Sequence, residues 1–196
     1  MQTFKEIEDF AKENRVPIIR PLSRKILLDE IKSLNPAQIL EIGTAIGFSG
    51  CLILQATQDS ILTTIELNEN SYNIAKENFY RFGFASRVNQ ILGDATEVLK
   101  TLKTKFDFIF LDGPKSHYVK QLPYLISLLN TGGMLIADNV LFMGQVLSDV
   151  YPKHKHRTMI FNLRKFIKDV QNDHRLESKI IDIEDGLILV KKISDK

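Results

Sequence analysis

The feature that most constrains how this chain can fold is a repeated switch of hydrophobic period. "QILEIG" (38–43), "ILTTIEL" (61–67), "VNQIL" (88–92), "FDFIFLD" (106–112) and "MLIAD" (134–138) are short runs dense in apolar residues. Stretches with helical spacing separate them: "FSGCLILQAT" (48–57), "ENSYNIAKENFYRF" (69–82), "ATEVLKTL" (95–102) and "SHYVKQLPYLISLLN" (116–130), the last expected to end near Gly132-Gly133. Strand and helix periods in alternation predict an α/β fold, a mostly parallel sheet with helices on both faces. The runs are apolar almost throughout, as strands covered on both faces must be.

The flanks extend the pattern. Thr3 and Glu6 are spaced as a capping box, opening a helix through about Arg15. "VPIIRP" is extended, held by Pro17 and Pro21, and the helix "LSRKILLDEIKSLN" stops at Asn35-Pro36. After an irregular stretch, "TMIFNLRKFIKDVQ" (158–171) is an amphipathic helix. "KIIDI" and "LILVKKI" then form an antiparallel C-terminal hairpin through the turn pair Asp185-Gly186. No repeat or linker interrupts the chain, so residues 1–196 are expected to be one domain, with helices in 1–35 and the sheet core in 36–196.

Composition narrows the setting. A chain of 196 residues, 44% hydrophobic, can bury a sizeable core. It contains no apolar run of about eighteen residues, so no membrane span is expected. "MQTFKEIEDFAKENR" is too charged for a secretory signal, and the single cysteine, Cys51, excludes an internal disulfide framework. Cys51 sits in an apolar helix pattern and is assigned to the core; a cytoplasmic setting fits both facts. The net charge of +2 is uneven. Residues 151–175 hold seven Lys/Arg against two acids, so this segment carries +5 and the remainder −3. A basic segment on an acidic body is either a polyanion contact or an ordinary solvated helix face.

In parallel sheets of this kind ligands bind beyond the carboxyl ends of the strands. Three groups of residues fall there. The loop "EIGTAIGFSG" has Gly43 and Gly47, which let the backbone approach a ligand, but it is neither G-x-G-x-x-G nor a P-loop. Glu66 ends the next strand, where a carboxylate can accept both hydroxyls of a ribose, and Asp94-Ala95 follow the third strand, where they can meet an adenine edge. In that order these residues suggest a nucleoside cofactor without a pyrophosphate. The second group is Asp112, Asp138 and Asn139, at the ends of strands expected to neighbour each other roughly 5 Å apart. Their oxygens suit Mg²⁺ or Ca²⁺; each alone is better explained as a turn or helix cap, but all three at adjacent strand ends favour a metal. The third is Lys115, three residues beyond Asp112. It is either a general base, its pKa lowered beside a divalent cation, or an ion-pair partner of Asp112. Tyr118 and Phe142 can stack on a flat ligand or pack in the core.

These motifs together resemble a known family. "ILEIGTAIGFSG", "TIELNEN", "GDA", "FDFIFLDGPKSHY" and "GGMLIADNVLFMGQV" are similar to the motifs of the cation-dependent O-methyltransferases that use S-adenosylmethionine, a family that includes the catechol and caffeoyl-CoA enzymes. The resemblance runs from about residue 13 to "DGLILV". It implies a doubly wound, Rossmann-like sheet of about seven strands, N-terminal helices on the cofactor side, and a homodimer. It implies Asp112, Asp138 and Asn139 as ligands of Mg²⁺, and Lys115 as the base. Ile19, Gly43, Ser49, Glu66, Asp94, Ala95 and Asp112 fall on its cofactor positions.

Within the family, "FAKENRVPIIRPLS" and "ADNVLFMGQV" followed by "KHRT" are similar to the bacterial members that methylate 5-hydroxyuridine at the tRNA wobble position. That implies tRNA as partner, with segment 151–175 on the anticodon arm; the alternative acceptor is a small catechol-like compound. Two residues depart from the pattern: Met143 where such enzymes often carry arginine, and Glu184 where many carry glycine. A nicotinamide oxidoreductase would lack a use for the acidic trio, and a non-catalytic nucleotide-binding module would leave Lys115 and the trio without a role.

Overall fold

A computed structural model describes residues 4–148 and 150–196. Thr3, the expected cap of the first helix, lies outside the described residues. The strands are β1 (Gln38–Ile42), β2 (Ile61–Glu66), β3 (Val88–Leu92), β4 (Phe106–Leu111), β5 (Leu129–Asp138), β6 (Leu176–Ile181) and β7 (Leu187–Lys192). The helices are α1 (Lys5–Glu13), α2 (Pro21–Leu34), α3 (Phe48–Ala56), α4 (Glu69–Arg81), α5 (Ala95–Thr101), α6 (Tyr118–Leu128) and α7 (Arg157–Asn172). The seven strands form one sheet in the order β3-β2-β1-β4-β5-β7-β6, so the doubly wound α/β expectation holds. β1 to β5 pair in parallel, and β7 lies antiparallel between β5 and β6.

Alternate strand residues feed two cores. Leu40, Ile109 and Leu111 face one, closed by Leu122 and Leu125 of α6 and Leu163 and Phe166 of α7. Ile39, Phe108 and Phe110 face the other, closed by Leu27 and Ile31 of α2, Ile53 and Leu54 of α3 and Phe79 of α4. This two-sided burial is why the central strands read as apolar without alternation. Cys51 is fully buried in the second core, and burial pushes its thiol pKa up. Among the described residues, no helix is long and apolar enough to cross a membrane.

Two expectations change. The glycine pair does not end a helix: α6 stops at Leu128, because Leu129 already pairs with Phe106, and Gly132-Gly133 sit in the irregular start of β5. The final hairpin has no two-residue turn. The main-chain carbonyls of Asp185 and Gly186 accept the N–H groups of Leu141 (2.8 Å) and Val140 (3.0 Å) instead, so the corner is spent on the segment that follows β5.

Candidate active site

A cavity of about 720 Å³ runs along the carboxyl ends of the strands from β3 to β5. The chain enters it first at Gly43, whose φ of 96° and position leave no alternative residue: a Cβ there would lie 2.6 Å from the carbonyl oxygen of Asp112. Glu66 ends β2 and is fixed from both sides. One carboxylate oxygen accepts the N–H of Ala45 and the other that of Asn68, both at 2.8 Å. Each oxygen keeps a free lone pair, so a diol can still bind. Asp94 caps α5, accepting the N–H of Thr96 at 2.7 Å. Burial raises its pKa, but the N–H groups of Thr96 and Glu97 outweigh that and hold the carboxyl below its ordinary value. Gly43, Glu66, Asp94 and Ala95 all line the cavity.

The far end is built by β4 and β5. Asp112, Lys115, Asp138 and Asn139 line the same cavity. Asn139 follows β5 with φ 57°, a left-handed conformation that asparagine tolerates better than most residues. Burial, then the nearby Asp112, pushes the Asp138 carboxyl up to about 6. Two carboxylates and an amide lining the same cavity form an all-oxygen donor set suited to a hard divalent cation. Among the described residues no three His, Cys, Asp or Glu side chains are grouped to hold a metal; the third donor here is an amide.

Lys115 donates to Asp112 at 2.7 Å, and its ammonium lies 5.3 Å from the Tyr118 ring centre. Burial pulls its pKa down, but Tyr118 and Asp112 prevail and the net shift is upward. The lowered pKa expected of a base is therefore not produced by the protein's own groups; Asp112 keeps Lys115 charged. Tyr118 is fully buried, donating to the carbonyl of Leu111 (2.9 Å), and belongs to the core. Phe142 packs against that core and lies 5.1 Å from the His156 ring.

Two expected cofactor residues do not line the cavity. Ile19 is buried among the second core, while its neighbours Pro17, Ile18 and Arg20 line the cavity. Ser49 turns its hydroxyl to Glu41 at 2.5 Å. Sequence reasoning missed other lining residues: Leu67, His117, Gln121 and Asp185. Only Leu67 carried a signal, a large apolar residue just past a strand-end acid, and it is 65% exposed.

Asp185, itself a lining residue, ties Arg20 of the cavity wall to the segment that follows β5. One carboxylate oxygen accepts Arg20 at 2.9 Å and the other the N–H of Met143 at 3.2 Å. Glu184, at φ 51°, reaches the start of α2 and accepts the N–H of Leu22 and both the N–H and hydroxyl of Ser23. The glycine expected at 184 is thus replaced by an acid that works as a cap from outside its helix. The segment after Met143 is tied to α7 by Arg164, whose guanidinium donates to the carbonyls of Gln145, Val146 and Ser148.

Segment 151–175 borders the far end. Asn162 of α7 donates to the carbonyl of Ser116, next to Lys115. Several of its charges are already used: Arg164 on the loop above, Lys165 on Asp169, Arg175 on Asp173. Arg157 stacks 4.8 Å from the Tyr151 ring. Lys153, Lys155 and Lys168 make no ion pair among the described residues.

The O-methyltransferase family model matches residues 16–193. The tapetum-specific methyltransferase 1 of Arabidopsis thaliana is 31% identical, covering 92% of this chain and 79% of its own. A candidate caffeoyl-CoA O-methyltransferase from Staphylococcus aureus, solved as a crystal structure, superposes with a TM-score of 0.90 at 30% identity, covering 98% of this chain and 93% of that one. An S-adenosylhomocysteine-bound methyltransferase from Podospora anserina superposes with a TM-score of 0.80 at 26% identity, covering 89% and 80%.

Proposed function

Because the chain belongs to the O-methyltransferase family, we propose that its cavity binds S-adenosylmethionine at the β1–β3 end and a hydroxyl acceptor at the β4–β5 end. One observation carries this reading: Glu66 and Asp94, suited to a nucleoside, share one continuous cavity with Asp112, Asp138, Asn139 and Lys115. The S-adenosylhomocysteine in the Podospora relative supports the cofactor. The methyl donor supplies an electrophilic carbon on a sulfonium.

The remaining work falls to this chain's residues. They hold acceptor oxygen, methyl carbon and sulfur in line, an arrangement that can lower the barrier by several kcal/mol. Asp112, Asp138 and Asn139 would hold a hard divalent cation, with Mg²⁺ proposed; when bound it acts as a Lewis acid that lowers the pKa of a hydroxyl. With Asp112 otherwise engaged, Lys115 loses one of the influences that hold it charged, and it would take the acceptor's proton as the general base.

For the acceptor we propose 5-hydroxyuridine in the tRNA wobble position, converted to 5-methoxyuridine. Lys153 and Lys155, in the basic segment 151–175, would meet phosphates of the anticodon arm. A second reading, a small catechol-like acceptor, is favoured by the caffeoyl-CoA naming of a relative that superposes over 98% of the chain. The test is methyl transfer from labelled S-adenosylmethionine, with Mg²⁺ or chelator, to tRNA carrying 5-hydroxyuridine and to a simple catechol. Mg²⁺-dependent label on the tRNA, far above the catechol, is expected. Label on catechol alone overturns the tRNA assignment, and undiminished transfer under chelator overturns the cation.

A further inference from the structure

Among the described residues, Gln121 is the cavity-lining residue with a buried side-chain atom that has no hydrogen-bond partner. It projects from α6 and is 1% exposed. Its amide nitrogen donates to the Thr96 hydroxyl at 3.4 Å, and Thr96 in turn donates its N–H to Asp94. The amide thus sits against the turn that begins α5, and Gln121 lines the cavity together with Asp94, Ala95 and His117. Its side-chain oxygen is buried without any hydrogen-bond partner. A buried amide oxygen left bare costs about 1–3 kcal/mol, and such groups in folded proteins are normally satisfied. Leucine or methionine would fill the same space without that cost. Glutamine here makes sense if a donor arrives from the cavity.

We propose that Gln121 is a specificity-determining residue for the cofactor: its free oxygen accepts an N–H of the exocyclic amine of a 6-aminopurine. The proposal rests on the cofactor reading above. The donor must be uncharged or cationic and must reach Gln121 from the part of the cavity lined by Asp94 and Ala95. An aminopurine presented beside Asp94 meets those terms. A purine without the amine leaves the oxygen bare.

The experiment is a double cycle of binding by calorimetry. S-Adenosylhomocysteine and its 6-deamino analogue are each titrated into the wild-type protein and into Gln121→Leu. In the wild type, removal of the amine is expected to weaken binding at least tenfold. Gln121→Leu should weaken S-adenosylhomocysteine about tenfold, the size expected for one buried hydrogen bond, while binding the two ligands with nearly equal affinity. Thermal melting checks the fold, and Gln121→Met repeats the cycle with a different shape. Independent losses, or a Leu variant that binds S-adenosylhomocysteine like the wild type, overturn the proposal and leave the cofactor reading standing. Failure of the wild type to bind S-adenosylhomocysteine overturns both.

Discussion

Glu41 is fully buried between two hydroxyls, accepting Ser49 at 2.5 Å and Thr64 at 2.6 Å. Burial, opposed by those hydrogen bonds and reinforced by Asp112 and Glu66, pushes its carboxyl up to about 7 from an ordinary 4.5. The folded protein therefore keeps a proton that the unfolded chain has already released. Stability from this group is fully present below pH 4.5 and declines as pH rises to about 7. Glu41→Gln, neutral at every pH, should remove the decline: relative to wild type it should gain roughly 3 kcal/mol between pH 4.5 and 8, read by urea denaturation at both. A constant difference between the two proteins would show that Glu41 is ionised in the fold. Lys115 makes the opposite kind of contribution. Lys115→Met should melt within a few degrees of wild type and bind S-adenosylhomocysteine, yet lose at least about a hundredfold in methyl transfer, the usual scale of acid–base catalysis. Near-normal transfer would remove it from proton handling. These residues were legible because their types stand at strand ends with motif spacing. Gln121, Arg20 and Asp185 were not, since each gains its place from a contact far along the chain and no local pattern marks it.

At the level of elements, α2 shows a helix start completed from elsewhere. Its N-cap position, Arg20, provides no side-chain cap, and Pro21 occupies the first turn. Glu184 supplies the missing acceptors at the cost of a left-handed backbone, a conformation worth about 1–2 kcal/mol against any residue with a Cβ. Two substitutions separate the terms. Glu184→Gly loses the cap but relieves the backbone, so the net change should be small. Glu184→Ala loses the cap and keeps the strain, and should be about 1 kcal/mol less stable than the glycine variant by chemical denaturation. The order and type of elements were readable from period alone, because two-sided burial writes itself into the strands. The boundaries around α6, β5 and the β6–β7 corner were not. There, pairing of Leu129 with Phe106 and of Leu141 with Asp185 overrides the local signal of Gly132-Gly133 and of Asp185-Gly186.

Over the whole molecule, the sheet's carboxyl edge is one cavity framed by the ends of five strands, β1 to β5. S-Adenosylhomocysteine at a hundred times its Kd should then stabilise the protein by about 2.7 kcal/mol and raise the melting temperature by roughly 5–10 °C. No shift at saturating ligand would mean that the cavity does not take the nucleoside. The Arg20–Asp185 contact, which closes part of that cavity, joins residues 165 positions apart. A ribosome adding about 5–20 residues per second makes the second partner roughly ten to thirty seconds after the first. During that interval the early segment lacks its anchor, and the sheet lacks β7. A nascent chain therefore carries most of the cofactor-facing loops before the mouth of the cavity is finished, because Arg20 must wait for Asp185 to be made.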